Sequence, residues 1–136
     1  GLLETLLTVL GQMEVFEAVV AQELQRYLPF LLTTTVLMES VKTGAGREGA
    51  HEAIKEHAVA VAGDLRAGKV SVNDLFRRLA ADGRLGLSAE QLGAISEAGR
   101  ANTGDAAAQV DAFAARIDAL AAHDPAAARY EPGEIL

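Results

Sequence analysis

The chain has 136 residues, half of them apolar and 23% charged, with 4% aromatic residues and no cysteine. That length can bury the core of one domain, the alanine-rich, aromatic-poor composition favours helices over sheets, and the missing thiols exclude disulfides, thiolate metal sites and a cysteine nucleophile. Carboxylates outnumber Lys and Arg 19 to 12, a net charge of -7, which argues against nucleic acid as a partner because phosphate binding needs clustered cations.

Apolar residues Leu2, Leu6, Val9, Leu10, Met13, Phe16, Val20, Leu24 and Tyr27 recur at three- and four-residue steps. This spacing predicts one helix of about seven turns from Leu2 to Tyr27. Leu7, Val15 and Val19 fall outside that stripe, so the helix needs neighbours on more than one side, supplied by missing sequence or other subunits. The chain is already periodic at Leu2 with neither an initiator Met nor a cap before it, the expectation for a fragment of a longer polypeptide. Glu17 lies inside the stripe, where an unpaired carboxylate is costly, so it is expected to pair with an Arg or a hydroxyl across a helix interface. Pro29 has no amide proton and disfavours helical angles at Leu28, so the helix should end or kink there.

A second helix is predicted from about Phe30 to Lys42, with the hydroxyl run Thr33-Thr34-Thr35 bonding carbonyls one turn earlier. Gly44 and Gly46 then stop it, since glycine takes positive φ without a side-chain clash. A third helix runs from about Arg47 to Ala67, burying Ala50, Ile54, His57 or Ala58, Val61 and Leu65. Ser71-Val72-Asn73-Asp74 resembles a capping box opening a fourth helix with Leu75, Phe76 and Leu79 inward, ended by Asp82-Gly83. Ser88-Ala89-Glu90-Gln91 opens a fifth, to about Ala98, with Leu92 and Ile95 inward. A sixth, from about Asp105 to Ala122, is expected to bury Val110, Phe113, Ile117 and Leu120. Asp124-Pro125 caps a short terminal turn, and Tyr130 to Leu136 reads as an extended tail. No apolar run reaches the roughly 18 residues of a bilayer span and no basic n-region precedes one, so a soluble, cytoplasmic protein with no membrane partner is expected.

The chemistry-bearing residues are sparse. His51-Glu52 invites comparison with a zinc-protease motif, but position 55, where the second histidine belongs, is Lys55. His51 and His57 are six apart, pointing about 120° away from each other on a helix, and are poorly placed to share a metal. His51 is read as a polar contact at an interface, and His123 as a partner of a helix dipole. Gly44-Ala45-Gly46 reads as a corner rather than an anion loop, and Arg77, Arg78 and Arg84, the only local basic cluster, as a solvated face. No serine has a base nearby in sequence. No catalytic, cofactor-binding or metal-binding residue is therefore assigned. By its residues alone the chain reads as an all-α packing and assembly module.

A resemblance adds to this. The run Glu23-Leu24-Gln25-Arg26-Tyr27-Leu28-Pro29-Phe30, continued through Thr33-Thr34-Thr35-Val36-Leu37-Met38-Glu39-Ser40, is followed by Gly46-Arg47-Glu48-Gly49-Ala50-His51-Glu52. Together with Thr103-Gly104, Gln109-Val110-Asp111-Ala112-Phe113 and the closing Tyr130-Glu131-Pro132-Gly133-Glu134-Ile135-Leu136, it resembles the C-terminal part of the adenylosuccinate lyase family, in the fumarase and aspartase superfamily. The resemblance implies the end of a long-helix bundle domain over residues 1–43, followed by a small all-helical C-terminal domain over residues 44–136. It implies a homotetramer assembled through the helix of residues 2–43, a small-molecule substrate in the full-length enzyme, and no cofactor. The implied reaction is β-elimination of fumarate from adenylosuccinate and from the succinyl-carboxamide intermediate of purine synthesis. The family's base is a serine on a Gly-Ser-Ser-x-Met-Pro-x-Lys-x-Asn-Pro loop and its acid a histidine of an earlier segment. Neither is present here, so Ser40, Ser71, Ser88 and Ser96 are not that base and the fragment is expected to be inactive by itself. Argininosuccinate lyase or a cycloisomerase relative is the alternative within the superfamily, and a non-enzymatic helical interaction module the alternative outside it.

Overall fold

The structure is a computed structural model and describes residues 1–133. Among the described residues the chain is all-α, in the order α1 (Leu2–Gly11), α2 (Glu17–Leu31), α3 (Thr33–Lys42), α4 (Arg47–Arg66), α5 (Leu75–Ala80), α6 (Ala89–Ala101), α7 (Ala106–His123) and α8 (Pro125–Ala128). No helix among them is long and apolar enough to cross a membrane. Glu17–Asn102 form one compact unit, and Gly1–Phe16 with the chain from Thr103 onward form another.

The unit Glu17–Asn102 holds the core. Val36 of α3, Ala53, Ile54 and Val61 of α4, Leu75 and Leu79 of α5, and Leu92 and Ile95 of α6 are buried in one cluster. Leu85 and Leu87, in the loop between α5 and α6, complete it. The α3–α4 corner forms because Gly44 sits at φ +99, which lets the Gly44 amide donate to the Val41 carbonyl and the Ala45 amide to the Ser40 carbonyl, both at 3.0 Å. These two bonds satisfy carbonyls that the end of α3 would otherwise leave unpaired. α6 opens on the expected capping box: the Gln91 amide donates to Ser88 Oγ at 3.1 Å and the Ser88 amide to Gln91 Oε1 at 2.8 Å.

Several boundaries differ from the sequence expectation. The single seven-turn helix from Leu2 to Tyr27 is two helices, with residues 12–16 outside both. Gly11 closes the first, where glycine costs about 1 kcal/mol relative to alanine in a helix. Pro29 lies inside α2, which runs on to Leu31 before a one-residue break at Leu32. The Leu32 amide still reaches the Leu28 carbonyl at 3.0 Å, so helical bonding continues past the position where Pro29 has no amide to donate. Ser71 does not open α5. The turn is set by Asn73, whose Oδ1 accepts from the Leu75 amide at 3.0 Å and whose side-chain amide donates to the Arg26 carbonyl at 2.7 Å. α6 continues past Ala98 to Ala101 through Gly99, where a Cβ would come within 2.5 Å of Leu32 Cδ2. That glycine permits the close approach of α6 to the α2–α3 break.

Glu17 is not a buried carboxylate. It is the exposed first residue of α2, where its charge faces the positive end of the helix dipole. Ser40 is the opposite case, fully buried with its hydroxyl unpartnered. Ser40→Ala is accordingly expected to stabilise the protein by roughly 1 kcal/mol, because it removes an unsatisfied buried group. The readout is the thermal midpoint of the variant. A midpoint at or below that of the parent would show that the hydroxyl is satisfied in solution.

The other unit has no buried residue on α1, α7 or α8. Val110, Phe113, Ile117 and Leu120, expected to be inward, are all exposed on α7. Their spacing of three and four residues fixes which face of the helix is apolar; it does not supply anything to cover that face. Glu4 of α1 accepts from the Tyr130 hydroxyl and from the Gly133 amide at 3.3 Å. The bond to that carboxylate pushes the Tyr130 phenol up from its ordinary pKa. Asp124 Oδ1 caps α8 by accepting from the Ala127 amide at 3.0 Å. Residues 130–133 carry no helix, and Glu134, Ile135 and Leu136 of the expected tail lie outside the described residues.

Candidate functional site

The charged side chains of the Glu17–Asn102 unit gather into two networks. In the first, Asp82, just past α5, accepts from His57 Nε2 of α4 at 2.9 Å and from Arg84 through its backbone amide at 3.0 Å and its Nη2 at 2.6 Å. Arg84 also donates to Glu56 Oε2 of α4 at 2.7 Å. The hydrogen bond from the Arg84 side chain holds the Asp82 carboxyl well below the usual carboxylate range, with the Arg84 amide and His57 adding to the effect and partial burial opposing it. Arg84 is raised in turn, first by Asp82 and then by Glu56, and Glu56 is lowered by Arg84. The network straps the α5–α6 loop onto α4.

In the second network Arg78 of α5 donates to Asp64 Oδ2 of α4 at 2.8 Å and to Asp74 Oδ1 at 2.9 Å, while Arg77 pairs with Asp74. The bond from Arg78 lowers Asp64, and the bond to Asp64 raises Arg78. The three arginines of the basic cluster thus stand against carboxylates: Arg77 on Asp74, Arg78 on Asp74 and Asp64, Arg84 on Asp82 and Glu56. Arg78 and Arg84 thereby tie α5 and the α5–α6 loop to α4, whereas Arg77 pairs with Asp74 of its own turn and is exposed, the solvated face that the sequence reads.

The histidines separate as their spacing implies. His57 belongs to the Asp82 network, and His51 lines a cleft of about 240 Å3 with Thr33, Thr34 and Lys55. His123 closes α7, at the negative end of its dipole. Thr33 Oγ1 donates to the Phe30 carbonyl at 2.8 Å, the back-bond expected of the hydroxyl run. Of the four serines, Ser40 is buried, Ser88 is a helix cap, and no base is hydrogen-bonded to any of them among the described residues. Among the described residues no three His, Asp or Glu side chains gather as metal ligands.

Two larger clefts open on this unit. One, of about 450 Å3, lies between Leu32, Thr35 and Glu39 on one side and Leu87, Gln91 and Ile95 on the other. The second, of about 490 Å3, lies between α2 and α4 and places Arg26 and Arg66 beside Tyr27, Phe30 and Leu65. Sequence reasoning missed the His57–Asp82 contact and the placing of Arg26 and Arg66 on one cleft. The positions involved are 25 and 40 residues apart, beyond the reach of any helical period.

Among curated proteins none matches this chain. The model of the family described as adenylosuccinate lyase C-terminus matches residues 29–113, from Pro29 in α2 to Phe113 in α7, well over half of the chain. The chain therefore belongs to the adenylosuccinate lyase C-terminus family.

Proposed function

We propose that the chain supplies the C-terminal helical part of an adenylosuccinate lyase, a cytoplasmic enzyme of purine nucleotide biosynthesis that eliminates fumarate from adenylosuccinate and from the succinyl-carboxamide intermediate. The observation that carries this reading is the family match over residues 29–113. Elimination needs a base for the proton next to a carboxylate, an acid for the leaving nitrogen, and cations to hold the carboxylates and phosphate. The proposal assigns base and acid to segments other than residues 1–136, because the serine-loop signature and the histidine segment of the family that the chain resembles are not found among these residues. This part contributes packing and assembly: residues 1–43 end the central bundle domain and 44–136 form the third domain. Supporting an assembly role, Leu2, Leu3 and Leu6 are exposed on α1, and Val19, Val20 and Leu31 are exposed on α2, and clustered exposed apolar side chains mark interaction surfaces. In the proposal these helices join the subunits of a homotetramer.

The expected result with adenylosuccinate is that the purified chain releases no fumarate, followed by ultraviolet absorbance, while the complete gene product does. Turnover by the chain alone would overturn the assignment of the chemistry. Release from argininosuccinate instead would move the protein to that branch of the superfamily.

A further inference from the structure

We propose that the cleft between α2 and α4 is a binding site for an aromatic phosphomonoester, a flat ring carrying a doubly charged phosphate. The cleft, of about 490 Å3, is within the size range of small-ligand sites. Its lining is polarised. Phe30 faces Ala58 and Val59 at one end, and Arg26 and Tyr27 face Leu65 and Arg66 at the other. The neighbouring cleft sets Thr33, Thr34 and Leu37 against Ala58, Ile54 and His51, so α4 runs antiparallel to α2–α3 and both arginines come to the same end.

The two guanidinium groups are available to a ligand. Neither Arg26 nor Arg66 has an ion-pair partner among the described residues, in a chain of net charge -7 where Arg77, Arg78 and Arg84 are all paired. Asp64, two residues before Arg66, is held by Arg78 at 2.8 Å and by Lys69 at 3.7 Å. Glu23, one turn before Arg26, is exposed and makes no ion pair among the described residues. The Arg26 guanidinium lies 5.6 Å from the centre of the Tyr27 ring, within the range of a cation–π contact, and both side chains line the cleft. Two forked, permanently charged donors match a phosphate dianion, which accepts from both in bidentate fashion. The small side chains Ala58 and Ala62 leave room for a flat ring between Phe30 and Val59, and Val59 is 68% exposed, an apolar wall that such a ring would cover.

The test uses the full chain and phenyl phosphate, with inorganic phosphate and phenol as the two halves of the ligand, followed by calorimetry and by amide chemical shifts. Phenyl phosphate is expected to bind saturably and about tenfold or more tighter than either half, a difference of about 1.4 kcal/mol or more. Arg26→Gln and Arg66→Gln should each weaken it about tenfold, while Arg100→Gln, at an exposed arginine outside the cleft, should not. Ala62→Phe, which fills the cleft and keeps both charges, should abolish binding with helical circular dichroism unchanged. Absence of saturation, equal affinity for inorganic phosphate, or indifference to Arg66→Gln or Ala62→Phe would each overturn the proposal. None of these outcomes depends on lyase activity.

Discussion

Leu79→Ala is expected to destabilise the Glu17–Asn102 unit by about 3 kcal/mol, within the range of large-to-small core substitutions. Leu79 is fully buried, as are Leu75, Leu85 and Leu92 of the same cluster, which draws side chains from α3, α4, α5, α6 and the α5–α6 loop. α5 has only six residues, so it has no stability of its own as a helix and is held by what Leu75 and Leu79 bury. Truncating Leu79 removes apolar area and leaves a cavity that the backbone cannot close, because Arg78 on the preceding position is tied to Asp64 and Asp74. The check is urea unfolding followed by circular dichroism, with Phe76→Ala as the partly buried comparison. Equal losses for the two variants would mean that the core is not centred on Leu79.

Asp82→Asn is expected to cost about 2 kcal/mol at neutral pH, since hydrogen bonds to charged groups contribute more than neutral ones and His57 and Arg84 both lose their carboxylate. It should also change the acid limb of the stability curve. The folded Asp82 carboxyl titrates below its unfolded value of about 4, so its contribution is fully present above that pH and is lost as pH falls toward the depressed folded value. Asp64 and Glu56 are lowered in the same direction and add to the same acid window. Parent and variant should therefore differ most above about pH 5 and converge as the pH drops below about 4. Unfolding curves that stay parallel from neutral pH to pH 3 would show that Asp82 contributes by shape alone.

How much was legible follows from the range of each signal. Capping at Ser88 and Asp124 was readable because donor and acceptor are three residues apart. The glycine stop at Gly44 was readable because positive φ is a property of one residue. The start of α5 was misplaced at Ser71 because Asn73 offered a competing cap that also bonds Arg26, 47 residues away. The break after Gly11 went against the apolar periodicity because no packing on α1 offsets the weak helical preference of glycine, and α2 continues past Pro29 to Leu31 with the Leu32 amide still bonded to the Leu28 carbonyl.

The order of residues by itself determined that this protein is helical, where most of its helices begin and end, and which face of each is apolar. These follow from periodicity, capping and backbone preference, all of which act within about one or two turns. Tertiary structure alone decided which apolar faces are covered. Leu92 and Ile95 are buried whereas Val110, Phe113, Ile117 and Leu120, spaced as regularly, are exposed. It also decided that Asp82 would hold His57 and Arg84, and that Arg26 and Arg66 would line one cleft. Burial and ion pairing are relations between surfaces that the chain brings together from distant positions, so no spacing within a single helix carries them.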